Sequence, residues 1–390
     1  MSSTFALLSL PLRIFDESSP DPLAAISSTV GTENAGVGRF NIPEFKIGTL
    51  DALVQQADQL VKLEASCEGV VTKVADSLGT LCADDKQKLA QNKMINNKPA
   101  GEYMRAFSWD KVRYRAEKPI GELLEMLQSE LTAVDNDSKQ RFSQFQSAKN
   151  TLSALEKKRT GNLTTKSLAP LVDPSYLVQD SEYLETHLVV VPNSARKDFS
   201  RSYETLSDMV VPRSKIQVAE DDEFTLFSVT TFKKFSSEFL QKCRENKWTP
   251  RQYTYVEGGK EEEQQEYRRM QEEEAKKFGE ALRFGHLGWS ESVKIWVHVL
   301  TIRVFVETVL RYGLPLEFVA ATLEMSPSNS KNVKTALDSA YSYLGGNAFG
   351  RDKHGRITKD DAALTSEMAA VGLGGDDEYS PYVYYELEFP

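Results

Sequence analysis

The sequence predicts an elongated α+β protein: two long helices form an antiparallel neck, and a small domain is inserted between them. Three observations carry that expectation. An apolar stripe at near-heptad spacing runs from Ile120 through Leu124, Leu127, Leu131, Val134, Phe142, Phe145, Ala148 and Leu152 to Leu155, and the pattern stops at Gly161. A second helical stretch begins after Gly258-Gly259 with the charged run "KEEEQQEYRRMQEEEAKKF" and ends at Gly313. Between them, residues 162–257 change period and read as strand, helix, two strands, helix and strand.

In chain order, "FALLSLPLRIF" at residues 5–15 reads as a strand, and the Ser-, Pro- and Gly-containing segment 16–38 as a mobile loop. From Thr49 the pattern is helical: Leu50, Leu53, Ala57, Leu60, Cys67, Val71, Val74 and Leu78 recur every three or four residues. A polar connection at 96–99 leads into "FSWDKVRYRAEKPI", whose Pro119 suits the start of a helix. That helix would extend about 60 Å at 1.5 Å per residue, longer than a compact domain requires. In the second long helix Glu272-Lys276 and Glu273-Lys277 stand at pairing distance. It then passes into "IWVHVLTIRVFVETVL", which His298, Arg303 and Glu307 interrupt, so a buried core helix is expected rather than a membrane span.

Within the insert, "YLETHLVVV" is a strand, and "SARKDFSRSYETL" a helix with Ala195, Phe199, Tyr203 and Leu206 inward. "SKIQVAE" and "EFTLFSVT" form a hairpin across Asp221-Asp222. "TFKKFSSEFLQKCRENK" is a helix burying Phe232, Phe235, Phe239 and Cys243, and "RQYTYV" is the last strand. The order βαββαβ is that of a ferredoxin-like sandwich, an architecture that names no function. Near the end, "NVKTALDSAYSYL" reads as a helix and "YSPYVYYELEF" as a strand.

The 390 residues carry a net charge of −10, which argues against a broad basic nucleic-acid surface and is compatible with protein partners. Cys67, Cys82 and Cys243 have no paired spacing, so reduced thiols of a cytosolic protein are expected. The N-terminus lacks a basic lead-in and its apolar run breaks at Pro11, unlike a signal peptide.

No chemistry-bearing motif is complete. His187, His286, His298 and His354 sit in no ligand spacing, no Cys pair completes a metal set, and no nucleophile signature appears. No catalytic, cofactor-binding or metal-binding residue is therefore assigned. "GGNAFGRDKHG" at 345–355 has the glycine spacing of a phosphate loop, but Arg351-Asp352 stands where Lys and Ser/Thr are needed. A helix stop at Gly345-Gly346 followed by a hairpin turn at Lys353-His354-Gly355 is the simpler reading. Lys157-Lys158-Arg159 closes a helix, where cations suit the dipole.

The candidate residues are instead those of a docking surface. Helical projection places Lys197, Arg201 and Glu204 on the outer face of the insert's first helix, and Lys234, Glu238 and Gln241 on that of its second. His187 joins them as an exposed or interface residue, on the strand face away from the helices. His298, amid Trp296 and Val299, is expected to be a satisfied core residue.

Six collinear stretches resemble the C subunit of the vacuolar-type proton-pumping ATPase. They are "IPEFKIGTLDAL" (42–53), "FSWDKVRYR" (107–115), "KKRTGNLTTKSL" (157–168), "SYETLSDMVVP" (202–212), "VFVETVLRYGLPLEF" (304–318) and "LGGNAF" (344–349). The resemblance implies a foot built from both chain ends (1–134 and 286–390), a neck (135–161 and 258–285) and a head (162–257). It implies a non-catalytic stator of the peripheral stalk, without cofactor or direct membrane insertion. The head would grip a stalk made of the E and G subunits. The foot would contact another E–G stalk and the N-terminal domain of the membrane sector's a subunit. Placement in the cytosol and on the cytoplasmic face of vacuolar and endosomal membranes follows, with reversible release when the pump disassembles. Some members of the family bind actin or nucleotide. Two other function classes compete: a cytoskeletal coiled-coil scaffold using the long helices, and a nucleotide-dependent enzyme centred on Gly345–Arg351.

Overall fold

A computed structural model describes residues 4–15, 21–83, 85–314, 317–344, 350–351, 357–358 and 381–390. The chain divides into two compact units, Met1–Phe142 with Glu280–Pro390, and Ser143–Gly279. The fold is α+β, with long helices and antiparallel sheets.

The first unit opens with strand β1 (Thr4–Pro11), helix α1 (Pro22–Val30), strand β2 (Ala35–Arg39) and helix α2 (Leu50–Leu81). The small elements α3 (Lys86–Asn92), β3 (Met94–Ile95), β4 (Lys98–Pro99) and α4 (Ala100–Arg105) follow. Then α5 (Ile120–Thr160) leads into the second unit. That unit contains β5 (Leu184–Pro192), α6 (Arg196–Ser202), β6 (Ile216–Glu220), β7 (Phe224–Phe232), α7 (Ser236–Glu245) and β8 (Thr249–Arg251). Helix α8 (Gly259–Tyr312) returns to the first unit, which closes with β9 (Phe318–Met325), α9 (Ser330–Tyr341), the short pair β10 (Gly350–Arg351) and β11 (Ile357–Thr358), and β12 (Val383–Leu387).

The first unit's sheet has the order β12-β1-β9-β2, antiparallel throughout, and joins the two ends of the chain. Every residue of β1 is buried because helices lie on both faces. Phe5 and Leu7 pack into a core with α2, α5 and α8, while Ala6, Leu8 and Leu10 pack with α1 and α9. Glycine lets α8 approach its neighbour: a Cβ on Gly285 would fall 2.7 Å from Leu78 Cδ2.

Two polar clusters are built into that core. Arg303 pairs with Glu64 of α2 and with Glu307 one turn on, and its guanidinium lies 4.2 Å from the Tyr385 ring centroid. His298 is ringed by Phe107, Trp109 and Tyr114 at centroid distances of 5.3, 4.8 and 4.9 Å. Its Nδ1–H donates to Lys294 O at 2.7 Å and its Nε2 accepts the Asp110 N–H at 3.2 Å, so both ring nitrogens are satisfied, as expected.

In the second unit the sheet order β6-β7-β5-β8, all antiparallel, is that of a split βαβ arrangement. Phe199, Tyr203, Phe239 and Cys243 from the helical side close on Val189, Val191, Phe227 and Val229. On the other face Leu188, Val190 and Leu226 pack against Leu163, Leu168 and Val172.

Four expectations need correction. The segment 16–38 is not a loop where it is described. The Asp21 side chain accepts the Leu23 N–H at 3.0 Å, Pro22 occupies the first turn and Gly31 at φ 80° ends a helix, after which β2 pairs with β9. Residues 16–20 lie outside the described residues. Leu50, just inside α2, is 66% exposed. The strand expected at "RQYTYV" occupies Thr249–Arg251 instead. Phe232 ends β7 as a 37% exposed residue rather than entering a helical core, because α7 begins only at Ser236.

Candidate partner-binding surface

The six charged and polar residues projected outward are exposed. Lys197 and Arg201 flank the inward Phe199 on α6, and neither has an ion pair among the described residues. Glu238 and Gln241 lie opposite the inward Phe239 and Cys243 of α7, and Lys234 lies in the single 3-10 turn before it. Both helices cover one face of the sheet, so Lys197, Arg201, Glu238 and Gln241 share that side of the unit, while Glu204 falls in the 3-10 turn after α6 rather than on the helix.

Their side chains are not equally free. Glu238 pairs with Lys242 at 2.8 Å, Gln241 donates to Glu245 at 3.0 Å, and the Lys234 ammonium lies 5.7 Å from the Phe235 ring centroid. Glu204 is committed: it accepts the Arg213 N–H at 2.9 Å and the Tyr203 hydroxyl at 2.7 Å. The Arg213 N–H, then the tyrosine, hold its carboxyl below the usual range. Of the six, Lys197 and Arg201 have no partner among the described residues.

His187 does not lie on the face assigned to it. It is 8% exposed and stacks on Phe239 of α7 at 5.8 Å. Its Nε2 contacts Thr231 Oγ1 at 3.1 Å and Ser236 Oγ at 3.0 Å. The strand "HLVVV" is buried on both faces, so alternation could not show which parity meets the helices. Odd residues do.

Burial, first of all, lowers the pKa of both His187 and His298 from the ordinary value. A histidine depressed in the folded state takes up its proton in the unfolded chain first, so stability is lost as pH falls below about 6.5. Each should cost up to about 1.4 kcal/mol per pH unit until its folded pKa is reached. Glu64, raised chiefly by burial, acts in the opposite sense above about 4.5 and offsets part of the slope. Urea unfolding at pH 7.5 and 5.5 should therefore show a smaller loss in His187→Asn and His298→Asn than in the unmodified chain. Equal losses in all three would refute the assignment.

The segment that resembles a phosphate loop falls mainly at 345–349 and 352–355, outside the described residues. Within it, Gly350 pairs with Thr358 and Arg351 with Ile357, the antiparallel ladder of the expected hairpin. Among the described residues no three His, Cys, Asp or Glu side chains cluster as a metal site, and no helix is long and apolar enough to cross a membrane. The three cysteines are free and buried.

The motif "FSWDKVRYR" has a structural use. Asp110 Oδ1 accepts the N–H groups of Val112 and Arg113, Trp109 Nε1–H donates to Tyr114 O at 2.6 Å, and Arg113 bridges Glu130 and Glu291. These contacts hold the aromatic ring around His298. The family model of the V-ATPase C subunit matches residues 5–383. The chain belongs to that family. The V-type proton ATPase C 1-A subunit of Danio rerio is 37% identical over 364 residues, covering 93% of this chain and 92% of its own. The C 1 subunit of Bos taurus is 38% identical with the same coverage, and the C subunit of Manduca sexta is 37% identical over 90% of this chain and 89% of its own. One solved structure, the cytoplasmic N-terminal domain of the V-ATPase I subunit, a homologue of the a subunit, covers 88% of this chain and 97% of its own. Its identity is 14% and its TM-score 0.30, too low to equate the folds. Membership in the C-subunit family of V-ATPases makes this chain part of the proton pump's peripheral machinery.

Proposed function

We propose that the chain is a non-catalytic stator of the V-type proton ATPase, bridging the peripheral stalks and the membrane sector so that rotor torque drives proton transport. Membership in the C-subunit family across residues 5–383 carries the reading. Residues 1–134 and 286–390 form the foot, 135–161 and 258–285 the neck, and 162–257 the head. The division between compact units falls inside α5 and α8, the two helices assigned to the neck, which favours this partition.

In this role the head holds one E–G stalk, through the α6–α7 face or through the opposite face of its sheet. The foot meets a second E–G stalk and the N-terminal domain of the a subunit. The protein works at the cytoplasmic face of vacuolar and endosomal membranes and returns to the cytosol when the pump disassembles. Mixed charge on the α6–α7 face suits a contact whose encounter rate and salt dependence are set by rim charges.

Deletion in a cell without a paralogue tests the reading. The other pump subunits should persist, while ATP-driven proton uptake by vacuolar membranes falls to background and returns with the reintroduced chain. The purified chain alone should hydrolyse no ATP. Undiminished proton uptake in the deletion strain would overturn the stator role, and turnover that copurifies with the chain would overturn its non-catalytic character.

A further inference from the structure

Two strands and a turn segment end side by side at one margin of the second unit's sheet. Leu184 stands opposite Phe232, and the Phe232 N–H donates to Met209 O at 3.2 Å. Directly opposed residues share a face. The next rung, Val210 opposite Thr231, belongs to the helical side: Val210 packs with Phe199 and Phe239, and Thr231 contacts His187. Phe232 and Leu184 therefore line the other face, and Met209 lies beside Phe232 at the strand end.

Residues 163–177 cover that face farther along, and the cover runs out where the Val178 N–H meets Thr186 Oγ1 at 3.0 Å. Beyond it the apolar side chains are left to water. Met209 is 60% exposed, Val178 39% and Phe232 37%, with Leu184 half-buried beside them. A contiguous row of this kind, unlike scattered single residues, marks an interaction site. Met209 also holds a left-handed backbone at φ 60°, which costs a residue with a side chain about 1–2 kcal/mol. Folding alone does not call for an outward methionine there.

The row has a shape and a charge. Strands lie about 4.8 Å apart, so Met209, Phe232 and Leu184 span about 10 Å across the strand ends. Two turns of an α-helix rise about 11 Å, matching one apolar stripe at i, i+3 or i+4, and i+7. Asp180, Glu182 and Asp208 are exposed neighbours of the row and have no ion pair among the described residues; Arg213 and Lys233 are nearby cations, and Lys242, within electrostatic reach of Asp208, is already paired with Glu238. The acidic excess suits a helix whose stripe is flanked by Lys or Arg.

We propose that this row is the docking site for one amphipathic, basic-flanked partner helix. The inference rests on the stator reading, under which that helix belongs to the E–G heterodimer. Of the two faces, it assigns the head's contact to the one opposite α6 and α7.

The test uses the full chain, whose three native cysteines are buried. Met209→Cys and, separately, Arg201→Cys are labelled with a benzophenone maleimide, mixed with purified E–G heterodimer and irradiated. An adduct is expected from position 209, and adding Phe232→Thr should cut its yield about tenfold, as loss of an interface anchor does. The site is overturned if position 209 gives no adduct or if Phe232→Thr leaves the yield unchanged. An adduct from 201 alone would return the contact to the helical face and keep the stator reading. No binding of the heterodimer by the full chain would sink both.

Discussion

Arg303→Met should destabilise the first unit by about 3–5 kcal/mol at pH 7.5, because it leaves a buried carboxylate without its counter-ion. Arg303 ties α8 to Glu64 of α2 and lies against Tyr385 of β12, so one guanidinium joins three elements. Glu307 keeps a second partner in Arg311, at 3.6 Å, but Glu64 has no other cation in contact among the described residues. Burial already raises the Glu64 pKa, and Arg303 is the main influence opposing it. Without Arg303 the shift grows. A carboxyl raised in the folded state binds its proton there first, so the penalty should shrink as pH falls towards 5. Urea unfolding at the two pH values reads this directly. Adding Glu64→Leu should recover most of the lost stability, since an apolar pair replaces a buried ion pair at little cost. A single-variant loss below about 1 kcal/mol, or no recovery in the double variant, would show that the pair does not hold these elements together.

The long helices were legible because their ends are punctuated. The Pro119 carbonyl accepts the Leu123 N–H, Gly161 follows α5, Gly313 at φ 76° closes α8, and Thr49 Oγ1 accepts the Ala52 N–H at the start of α2. The element order of the insert was legible for the same reason. Asp221 turns the hairpin by accepting the N–H groups of Glu223 and Phe224, although its bond to the Leu163 N–H, 58 residues away in sequence, has no local signature. Strand β9 was missed. "FVAATLEM" is buried on both faces at the centre of a sheet, so it lacks the alternation by which a half-buried strand declares itself. The same blindness misplaced His187.

At the candidate surface, helical periodicity revealed which charges face outward but not how they are used. Glu204 looks like any exposed carboxylate, yet its partner is the backbone of Arg213, nine residues on. The apolar row was hidden by Phe232, which has helical spacing to Phe235 and Phe239 and so reads as core. Lys233–Phe235 forms a separate 3-10 turn, and that break leaves Phe232 at the strand end. The paired lysines "KK" between two phenylalanines were the available sign that the helix had not yet begun.

Phe199→Ala should cost the second unit about 3–5 kcal/mol and leave the first unit's core intact. Helix α6 has seven residues and no side-chain cap at its N-terminus, too short to persist by its own hydrogen bonds. Phe199, fully buried, is its anchor. The ring meets Trp248 at 4.9 Å edge-on, Phe227 at 5.2 Å and Tyr203 at 5.9 Å, joining α6 to β7 and to the loop before β8. Alanine removes all three contacts and leaves a cavity that β7, fixed on both sides by β5 and β6, cannot close. The core that Phe199 enters contains only residues of the second unit, whereas the Arg303 network and the His298 ring belong to the first. Hydrogen exchange should therefore show faster opening of amides in 184–251, with those of β1, β9 and the 289–309 part of α8 protected as before. Uniform loss of protection over both units would mean that they unfold as one. A cost below about 1.5 kcal/mol would mean that α6 is held by something other than its single buried ring.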